Sequence, residues 1–395
     1  MDKRNEKYFN NEKKLQTDIK HLLLTETFKM SLSIANGKCT SFSTNKNYSY
    51  FDLFAGNGEF ANGEQGSPLL VYDILANHLN SKNYFNNLRM ILTDKDPQNI
   101  DNLKKLLSIK EKQTHNDSIQ YVAEAKDWEL CSNDIKKCLK ASSWGFVFAD
   151  QYSTELHLQP FIELLQDSCN LKDILAFYTY RTLSRQHGRA CDNDIDRICK
   201  TLNITKEQFE TEDFSEKFQS QLIENYSKLK EFIIGVSFPT TVNKKLITAD
   251  YFYLIFATNS LKLVDTFLNA YEKALELYGS YAPQCKLFDN EDILNIIIDS
   301  NSKNLSELFI YVTKNFLSWK NIISNHLFVP TADYLMDKLQ ELSVQSKIKI
   351  SAPKEFLYKN DDTKFKKTEV SKSRKNMEQL AFEVIDKSSQ RKLFP

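Results

Sequence analysis

The sequence predicts an α/β fold, in which a doubly wound, mostly parallel sheet is followed by a smaller α+β domain. Three observations indicate this class. Strand-sized apolar segments alternate with helical segments through the first half of the chain. Four of the nine glycines of the 395-residue chain fall between positions 56 and 66, directly after the first strand. Acidic residues stand in or next to four of the first five strand ends, where ligands bind in such sheets.

The elements of the predicted sheet follow one another in regular order. A helix over residues 1–36 comes first. The five strands are predicted at residues 50–54, 88–93, 119–123, 144–149 and 174–180. The connecting helices are predicted at residues 68–80, 98–109, 133–140 and 158–167. Strands that alternate with helices in this way form parallel pairs with crossover helices.

The second half of the chain has a different pattern. Residues 191–231 are predicted to be a polar, helical insertion, and residues 231–240 and 251–258 an antiparallel pair at one sheet edge. A helix at 261–277 and a boundary near 279–283 close the first domain, 1–280. Helices at 290–300, 305–318 and 331–342, then small strands at 348–350 and 355–358, give domain 281–375 the order of a winged helix. The tail, 376–395, is predicted to carry one helix.

Composition excludes several classes of protein. Apolar residues are 41% and aromatic residues 12% of the chain, enough for real cores. No apolar run approaches the eighteen or so residues of a membrane span, and the charged start lacks a secretory signal. Seven cysteines without a CxxC pair and six scattered histidines give no zinc motif. We therefore expect a cytoplasmic protein with neither a structural metal nor a membrane partner.

Charge is balanced over the whole chain but not locally. The 52 basic and 52 acidic residues cancel, so any attraction to nucleic acid must come from a local patch. Residues 338–375 contain eleven basic and five acidic residues, a net charge of +6. Lys347 and Lys349 in this stretch are candidate substrate-binding residues, since neutralising phosphates releases counterions. The alternative is a solvated, charged tail.

The glycine cluster predicts a nucleoside site. A strand followed by G-x-G lets a ligand approach the backbone without interference from a Cβ atom. Ala61 stands where a dinucleotide fingerprint needs its third glycine, and no GK[ST] of a P-loop follows. An acid just before the glycines suits S-adenosylmethionine (SAM), although a structural turn is the alternative. The candidate cofactor-binding residues here are Asp52, Phe54, Ala55, Gly56 and Gly58.

The next two strand ends supply further candidate cofactor ligands. Asp94 is placed to accept hydrogen bonds from two ribose hydroxyl groups, because a carboxylate can accept both at once. Its alternative role is to cap the following helix, which Asp96 could also do. Glu124 and Ala125 follow the third strand and are predicted to lie beside the adenine edge.

Candidate catalytic residues follow the fourth strand at Asp150, Gln151 and Tyr152. Enzymes that methylate amino groups hold the target amine with acceptors at this corner and stack an aromatic ring on the base. The alternative is a helix-capping aspartate beside a core tyrosine. Arg181 and Arg185, after the fifth strand, could hold a substrate phosphate through paired hydrogen bonds. Simple surface solvation is equally consistent with them.

These motifs together resemble a known family. The order Lys20-His21, then Phe51–Gly58, then Gly66-Ser67-Pro68-Leu69 looks like the start of the three-Cys-motif partner proteins (TcmP), and residues 251–259 are similar to a late strand of that family. The resemblance implies a class I, Rossmann-like methyltransferase fold with a C-terminal winged helix, in bacteria and their mobile elements. It also implies a role in antiviral defence and a protein partner encoded nearby.

The same motif order occurs in the J-type rRNA adenine-N6 methyltransferases. Their Lys-His pair, GSP serine and strand-two acid contact SAM, which implies cofactor contacts from Lys20, His21, Ser67 and Asp94. It also makes Asp150 the catalytic acceptor. Two departures stand out. Phe54 replaces a histidine, and Asp150-Gln151-Tyr152 replaces a DPP[YF] corner, so the loop that presents the acceptor differs.

The leading functional hypothesis is a SAM-dependent methyltransferase that acts on RNA or DNA. A methyltransferase-fold scaffold with a degraded corner is the second hypothesis, and it could still bind SAM or nucleic acid. Methylation of a protein or small molecule is the third. Incorporation of labelled methyl groups into nucleic acid separates the first hypothesis from the second.

Overall fold

The structure of the protein is a computed structural model. It describes residues 15–39, 46–80, 84–114, 118–151, 156–166, 172–179, 195–196, 199–200, 204–209, 214–242, 245–277, 288–316, 331–358, 361–371 and 373–385. The chain divides into two compact units, Met1–Asn259 and Ser260–Pro395. This division precedes the boundary expected near 279–283, a segment that lies outside the described residues. No described helix is both long and apolar enough to cross a bilayer.

A seven-stranded sheet forms the centre of the first unit. Its order is β3-β2-β1-β4-β5-β7-β6, with β7 antiparallel to both neighbours and the other pairs parallel. The strands are β1 (Asn47–Asp52), β2 (Asn87–Asp94), β3 (Ile119–Ala125), β4 (Trp144–Asp150), β5 (Lys172–Thr179), β6 (Phe232–Val242) and β7 (Lys245–Thr258). The five predicted parallel strands and the antiparallel pair are confirmed.

Helices connect these strands. They are α1 (Leu15–Lys38), α2 (Ser67–Leu79), α3 (Pro97–Thr114), α4 (Ser132–Ala141), α5 (Leu158–Gln166), α6 (Lys206–Phe209) and α7 (Phe214–Ser227). The central strands β1 and β4 are buried along almost their whole length. Strands that helices cover on both faces are buried on both sides, and the apolar residues at 50–51 of β1 and 146–149 of β4 predict such strands.

The strand order reverses between β1 and β4. From β1 the chain proceeds through β2 to β3 at one edge, then returns to β4 on the other side of β1. Ligands bind at the carboxyl ends of the strands beside such a switch point. This order, with its antiparallel seventh strand, confirms the expected doubly wound, mostly parallel sheet of the first unit.

Helix α1 is fixed to the sheet by a buried polar network. Ser31 donates to the Asp173 carboxylate at 2.6 Å, and Thr258 donates to the other oxygen of that carboxylate at 2.6 Å. The Ser31 hydroxyl also lies 2.8 Å from that of Tyr48. Burial raises the pKa of Asp173, and the two hydroxyl donors partly offset this effect. The network holds the helix that carries Lys20 and His21.

The predicted insertion at 191–231 is in part a regular element of the fold. Helix α7 lies between β5 and β6 in the chain, where a doubly wound sheet needs a crossover helix. The hydroxyl groups of Tyr226 on α7 and Tyr178 on β5 are 2.9 Å apart, and both side chains are fully buried. Helix α7 therefore contributes the buried residues Leu222, Asn225 and Tyr226 to the core, although its polar sequence suggests an appendage.

Gly145 allows β4 to lie against β1, and we expect Gly145→Ala to destabilise the protein. A Cβ atom there would lie 2.4 Å from the carbonyl oxygen of Ser49, a backbone atom that cannot turn away. Overpacking of this kind costs about 2 kcal/mol or more. Urea unfolding measures the loss. Gly37→Ala is the matched control, because its added Cβ meets nothing within 4 Å and we expect no loss of stability.

The second unit combines helices with short strands. Its elements are α8 (Leu261–Glu276), α9 (Asn290–Ser300), α10 (Leu305–Phe316), α11 (Ala332–Val344), β8 (Ile348–Ser351), β9 (Leu357–Tyr358), β10 (Asp361–Phe365), α12 (Lys367–Val370), α13 (Arg374–Gln379) and β11 (Ala381–Val384). Thr331 caps α11, as predicted, by accepting a hydrogen bond from the Tyr334 N–H group at 3.1 Å.

The pairing of its strands differs from the expected ribbon. β8 pairs with β11, and β9 pairs with β10, so the predicted ribbon of 348–350 with 355–358 was wrong. β11 also forms a bridge to Asn304. The tail was predicted as one helix. Its described part contains the end of α13 and then the strand β11, of which Phe382 is buried. Strand partners so distant in sequence leave no local signal.

Candidate functional site

The strand ends that carry the predicted site residues lie side by side. Asp52 at the end of β1 is opposite Leu92 of β2 and Phe148 of β4. Asp94 and Asp150 therefore stand two residues further along the strands on either side of it. Asp94 is in turn opposite Ala125 of β3. The carboxyl ends of β1, β2, β3 and β4 carry these predicted residues, and they lie next to one another at the switch point.

The glycine-rich loop after β1 closes on itself. Gly56 and Gly58 adopt the left-handed φ values 63° and 86°, which favour glycine. The Gly66 N–H group donates to the Gly58 carbonyl oxygen at 2.7 Å, and a Cβ on Gly66 would lie 3.0 Å from that oxygen. Gly63 provides the turn between them, with φ at 80°. All four glycines of the cluster therefore have a backbone role.

Asp52 is the centre of a buried hydrogen-bond network. It accepts hydrogen bonds from the Tyr50 hydroxyl at 2.9 Å, the Ser67 hydroxyl at 2.8 Å and the Phe54 N–H group at 3.2 Å. Burial raises the pKa of Asp52 to about 7, although these three donors lower it and Asp150 raises it further. Ser67, predicted to contact the cofactor, thus links the start of α2 to this carboxylate.

Asp94 joins β2 to the glycine loop. Its carboxylate accepts hydrogen bonds from the Gly56 N–H group at 3.0 Å, the Asp96 N–H group at 2.8 Å and the Asn99 amide at 3.1 Å. Burial raises its pKa, and these donors lower it. Asp96 accepts from the Gln98 N–H group at 2.9 Å and so takes the capping position on α3. The ribose role of Asp94 stays a prediction.

Lys20 on helix α1 forms an ion pair with Asp150, the predicted acceptor of the substrate amine. The Lys20 Nζ atom lies 2.5 Å from an Asp150 carboxylate oxygen and 4.9 Å from the centre of the Phe177 ring. Only 13% of the Lys20 side chain and 21% of the Asp150 side chain are exposed. The His21 ring is also buried, 6.1 Å from that of Phe60. Lys20, which the resemblance assigns to the cofactor, pairs with the predicted catalytic acid.

The remaining predicted residues at these strand ends have positions or contacts that the sequence did not predict. Glu124 and Ala125 lie within β3 and not after it, and Glu124 forms an ion pair with Lys126 at 3.0 Å. The Gln151 amide donates to the Phe177 carbonyl oxygen and accepts from the Leu156 N–H group. Three predicted residues, Tyr152, Arg181 and Arg185, lie outside the described part of the chain.

Sequence reasoning missed two residues of this edge. Tyr50 is two positions before Asp52 on β1, so the strand period of two could have placed both on one face. Phe177 lies opposite Asp150 in the β4–β5 register, and only the pairing reveals that. Within the described ranges, no three His, Cys, Asp or Glu side chains come together as a metal site requires.

In the second unit, acidic side chains neutralise part of the basic stretch. Lys349 on β8 is opposite Glu383 on β11. Lys367 pairs with Asp337 at 2.6 Å, and Lys338 pairs with Glu341 at 2.8 Å. The backbone of Lys347 bonds to Leu342 and Ile385, so this residue joins α11 to the strands. The local charge available to a polymer is smaller than the sequence count indicates.

Helix α11 carries more acid than base. Asp333, Asp337 and Glu341 are on it, and its basic residue is Lys338. Burial raises the pKa of Asp333, and the nearby Asp265 carboxylate raises it further. In a winged helix the corresponding helix enters the major groove of DNA. An acidic helix would be repelled there by the phosphates.

Comparisons with known proteins give distant matches. No protein-family model matches the chain, and neither does any curated protein. Similar solved structures include protein LPL1258 from Legionella pneumophila str. Philadelphia 1, of family DUF519, at 11% identity and a TM-score of 0.39; the match covers 69% of this chain and 95% of that one.

Two further solved structures are similar to the chain. Spermidine synthase from Thermotoga maritima is 11% identical, with a TM-score of 0.28 over 61% of this chain and 62% of that one. The plantazolicin methyltransferase BamL, solved with a desmethylPZN analog and SAH, is 10% identical, with a TM-score of 0.25 over 65% and 94%. At such TM-scores, the fold assignment rests on this chain's own strand order.

Proposed function

We propose that this protein is a SAM-dependent methyltransferase that acts on an amino group of a nucleic-acid base. The observation that supports this best is the charge at the switch point. The Asp52, Asp94 and Asp150 carboxylates converge there, and Lys20 is the cation paired among them. The excess negative charge favours a cationic ligand, and SAM is a net cation because its sulfonium and ammonium groups outweigh its single carboxylate.

Two features support transfer to an amine. A carboxylate accepts hydrogen bonds only, so Asp150 can hold an amino group with its lone pair directed at the methyl carbon. It already holds an amine, that of Lys20, beside an aromatic ring. A substrate amino group would take the place of the Lys20 ammonium in this arrangement.

The assignment to nucleic acid rests on the second unit and on the resemblance to TcmP. The helices α9 to α11 followed by the strand β8 have the order in which a winged helix begins, although β8 pairs with β11 and not with the next strand. Because α11 is acidic, we place the polymer contacts of the second unit near Lys347 and Lys349 on the strand side. Arg181 and Arg185 follow the fifth strand in the sequence and stay candidates for a substrate phosphate. A partner encoded nearby, in a defence or mobile-element system, would supply further affinity.

Two measurements test this proposal. Calorimetry with SAM should show binding to the purified protein, and labelled methyl groups should pass from SAM to bulk bacterial RNA or DNA. SAM binding without any labelled polymer would instead support a scaffold that has lost catalysis. The ion pair that already engages Asp150 favours this second function. Absence of SAM binding by a folded protein would contradict both.

A further inference from the structure

The Gln151 side chain holds together three parts of the corner that follows β4. It is 3% exposed. Its Nε2 atom donates to the Phe177 carbonyl oxygen on β5 at 3.2 Å, and its Oε1 atom accepts from the Leu156 N–H group at 2.7 Å. One amide therefore ties the end of β4 to the neighbouring strand and to the segment that enters α5.

The amide can form both of these bonds because it carries a donor and an acceptor. A carboxylate cannot donate to a carbonyl oxygen, and an apolar side chain can do neither. Both partners are backbone groups, and a buried backbone group without a partner costs about 1–3 kcal/mol. The Gln151 side chain is therefore fixed by bonds to two backbone groups.

These bonds lie directly beside the predicted acceptor. Gln151 follows Asp150 in the chain, and Phe177, whose carbonyl oxygen it binds, is opposite Asp150 in the register. The Phe177 ring is also the one that lies under the Lys20 ammonium. Loss of the Gln151 amide would thus loosen both the carboxylate and the aromatic ring at once.

A second contact fixes the far end of the corner. The His157 Nδ1 atom contacts a carboxylate oxygen of Glu129, which lies between β3 and α4. The His157 carbonyl oxygen accepts from the Phe161 N–H group in the first turn of α5 at 3.1 Å. The chain is therefore held by side-chain contacts at the end of β4 and directly before α5.

We propose that Gln151 is a positioning residue that fixes the Asp150 corner by hydrogen bonds, in place of the proline of a DPP[YF] corner. Proline restricts a loop through its ring, whereas this amide restricts it by joining two backbone groups. The effect on catalysis rests on the proposed function. The two hydrogen bonds of Gln151, which we call the brace, can be measured independently of that function. Gln151 then acts through Asp150 and is not itself an acceptor for the substrate amine.

Hydrogen exchange of the full-length protein tests the brace. Gln151→Met has a similar volume but forms neither bond, so exchange of the Leu156 amide should rise about tenfold. Gln151→Glu keeps an acceptor for Leu156, and it should retain most of that protection while losing the bond to Phe177. Gln159→Met, the same substitution on an amide that bonds to Glu163 on the surface of α5, is the matched control. It should leave Leu156 unchanged.

Kinetics with labelled SAM and bulk RNA or DNA test the catalytic consequence. For Gln151→Met we expect kcat to fall at least about tenfold while Kd for SAM changes less than about twofold, with partial recovery in Gln151→Glu. Unchanged Leu156 exchange in Gln151→Met, or unchanged kcat, would overturn the proposal. If the wild-type protein transfers no methyl groups, the proposed function fails, and the exchange measurement alone decides whether Gln151 braces the corner.

Discussion

Asp52→Asn is expected to make the protein more stable at neutral pH and to weaken SAM binding. Burial raises the pKa of Asp52 from 3.8 to about 7, so the folded state binds this proton more tightly than the unfolded chain. Stability is therefore full below about pH 4 and falls as the pH rises to about 7, by up to about 4 kcal/mol. Asparagine does not titrate, and its amide can still pair with Phe54 and the two hydroxyl groups.

Urea unfolding between pH 4 and pH 8 measures this effect. The variant should gain about 2 kcal/mol or more over the wild-type protein at pH 8 and show a flatter pH profile. Asp134→Asn, on the surface of α4, is the control and should change stability by less than about 0.5 kcal/mol. Equal pH profiles for wild type and Asp52→Asn would show that Asp52 is ionised throughout this range.

SAM binding should respond in the opposite direction. A carboxylate near a bound sulfonium stabilises it, so the affinity of the wild-type protein should increase as the pH rises through about 7. In Asp52→Asn the affinity should fall at least about tenfold, and this pH dependence should disappear. Calorimetry at pH 6 and pH 8 measures both. Undiminished affinity in the variant would remove Asp52 from the cofactor site.

Asp150→Ala is expected to abolish methyl transfer and to destabilise the protein. An acceptor that orients a reacting amine contributes about a hundredfold or more to the rate. The substitution also leaves the Lys20 ammonium without this carboxylate in a place where 13% of its side chain is exposed. The pair is not fully buried, so we expect a loss of about 2 kcal/mol, below the range for buried pairs.

A double variant separates the two effects. Lys20→Met together with Asp150→Ala should regain most of the stability, because the ammonium and the carboxylate of this ion pair are removed together, while transfer stays absent. Asp73→Ala is the matched control. It removes the acid of another partly buried pair, Lys110 with Asp73 at 2.7 Å on α3 and α2, and should lower stability by a similar amount. Full transfer activity in Asp150→Ala would contradict the proposed role of this acid.

The sequence predicted the sheet well because its signals are local. Alternation of apolar strands and helices predicts parallel pairing, and parallel strands end at one edge. Asp52, Asp94 and Asp150 could therefore be placed together before any contact was known. The glycine loop was equally predictable, although the contact of Gly66 with Gly58 was not.

The sequence predicted the second unit less well, because its strand pairing is not local. Residues 348–350 and 355–358 are near neighbours in the chain, and proximity favours a ribbon between them. β8 instead pairs with β11, more than twenty residues beyond the expected partner. Burial of Phe382 favours the pairing of β8 with β11, and a short window of sequence does not reveal that burial.

The sequence by itself determined the class of the fold, the switch point and the acids that meet there, since each depends on periodicity and chain order. Only the tertiary structure determined which groups contact those acids. Lys20 and Asp150 are 130 positions apart, and the Gln151 amide reaches a strand 26 positions away. Such contacts depend on packing and on the need of buried polar groups for partners, which residues distant in the chain satisfy.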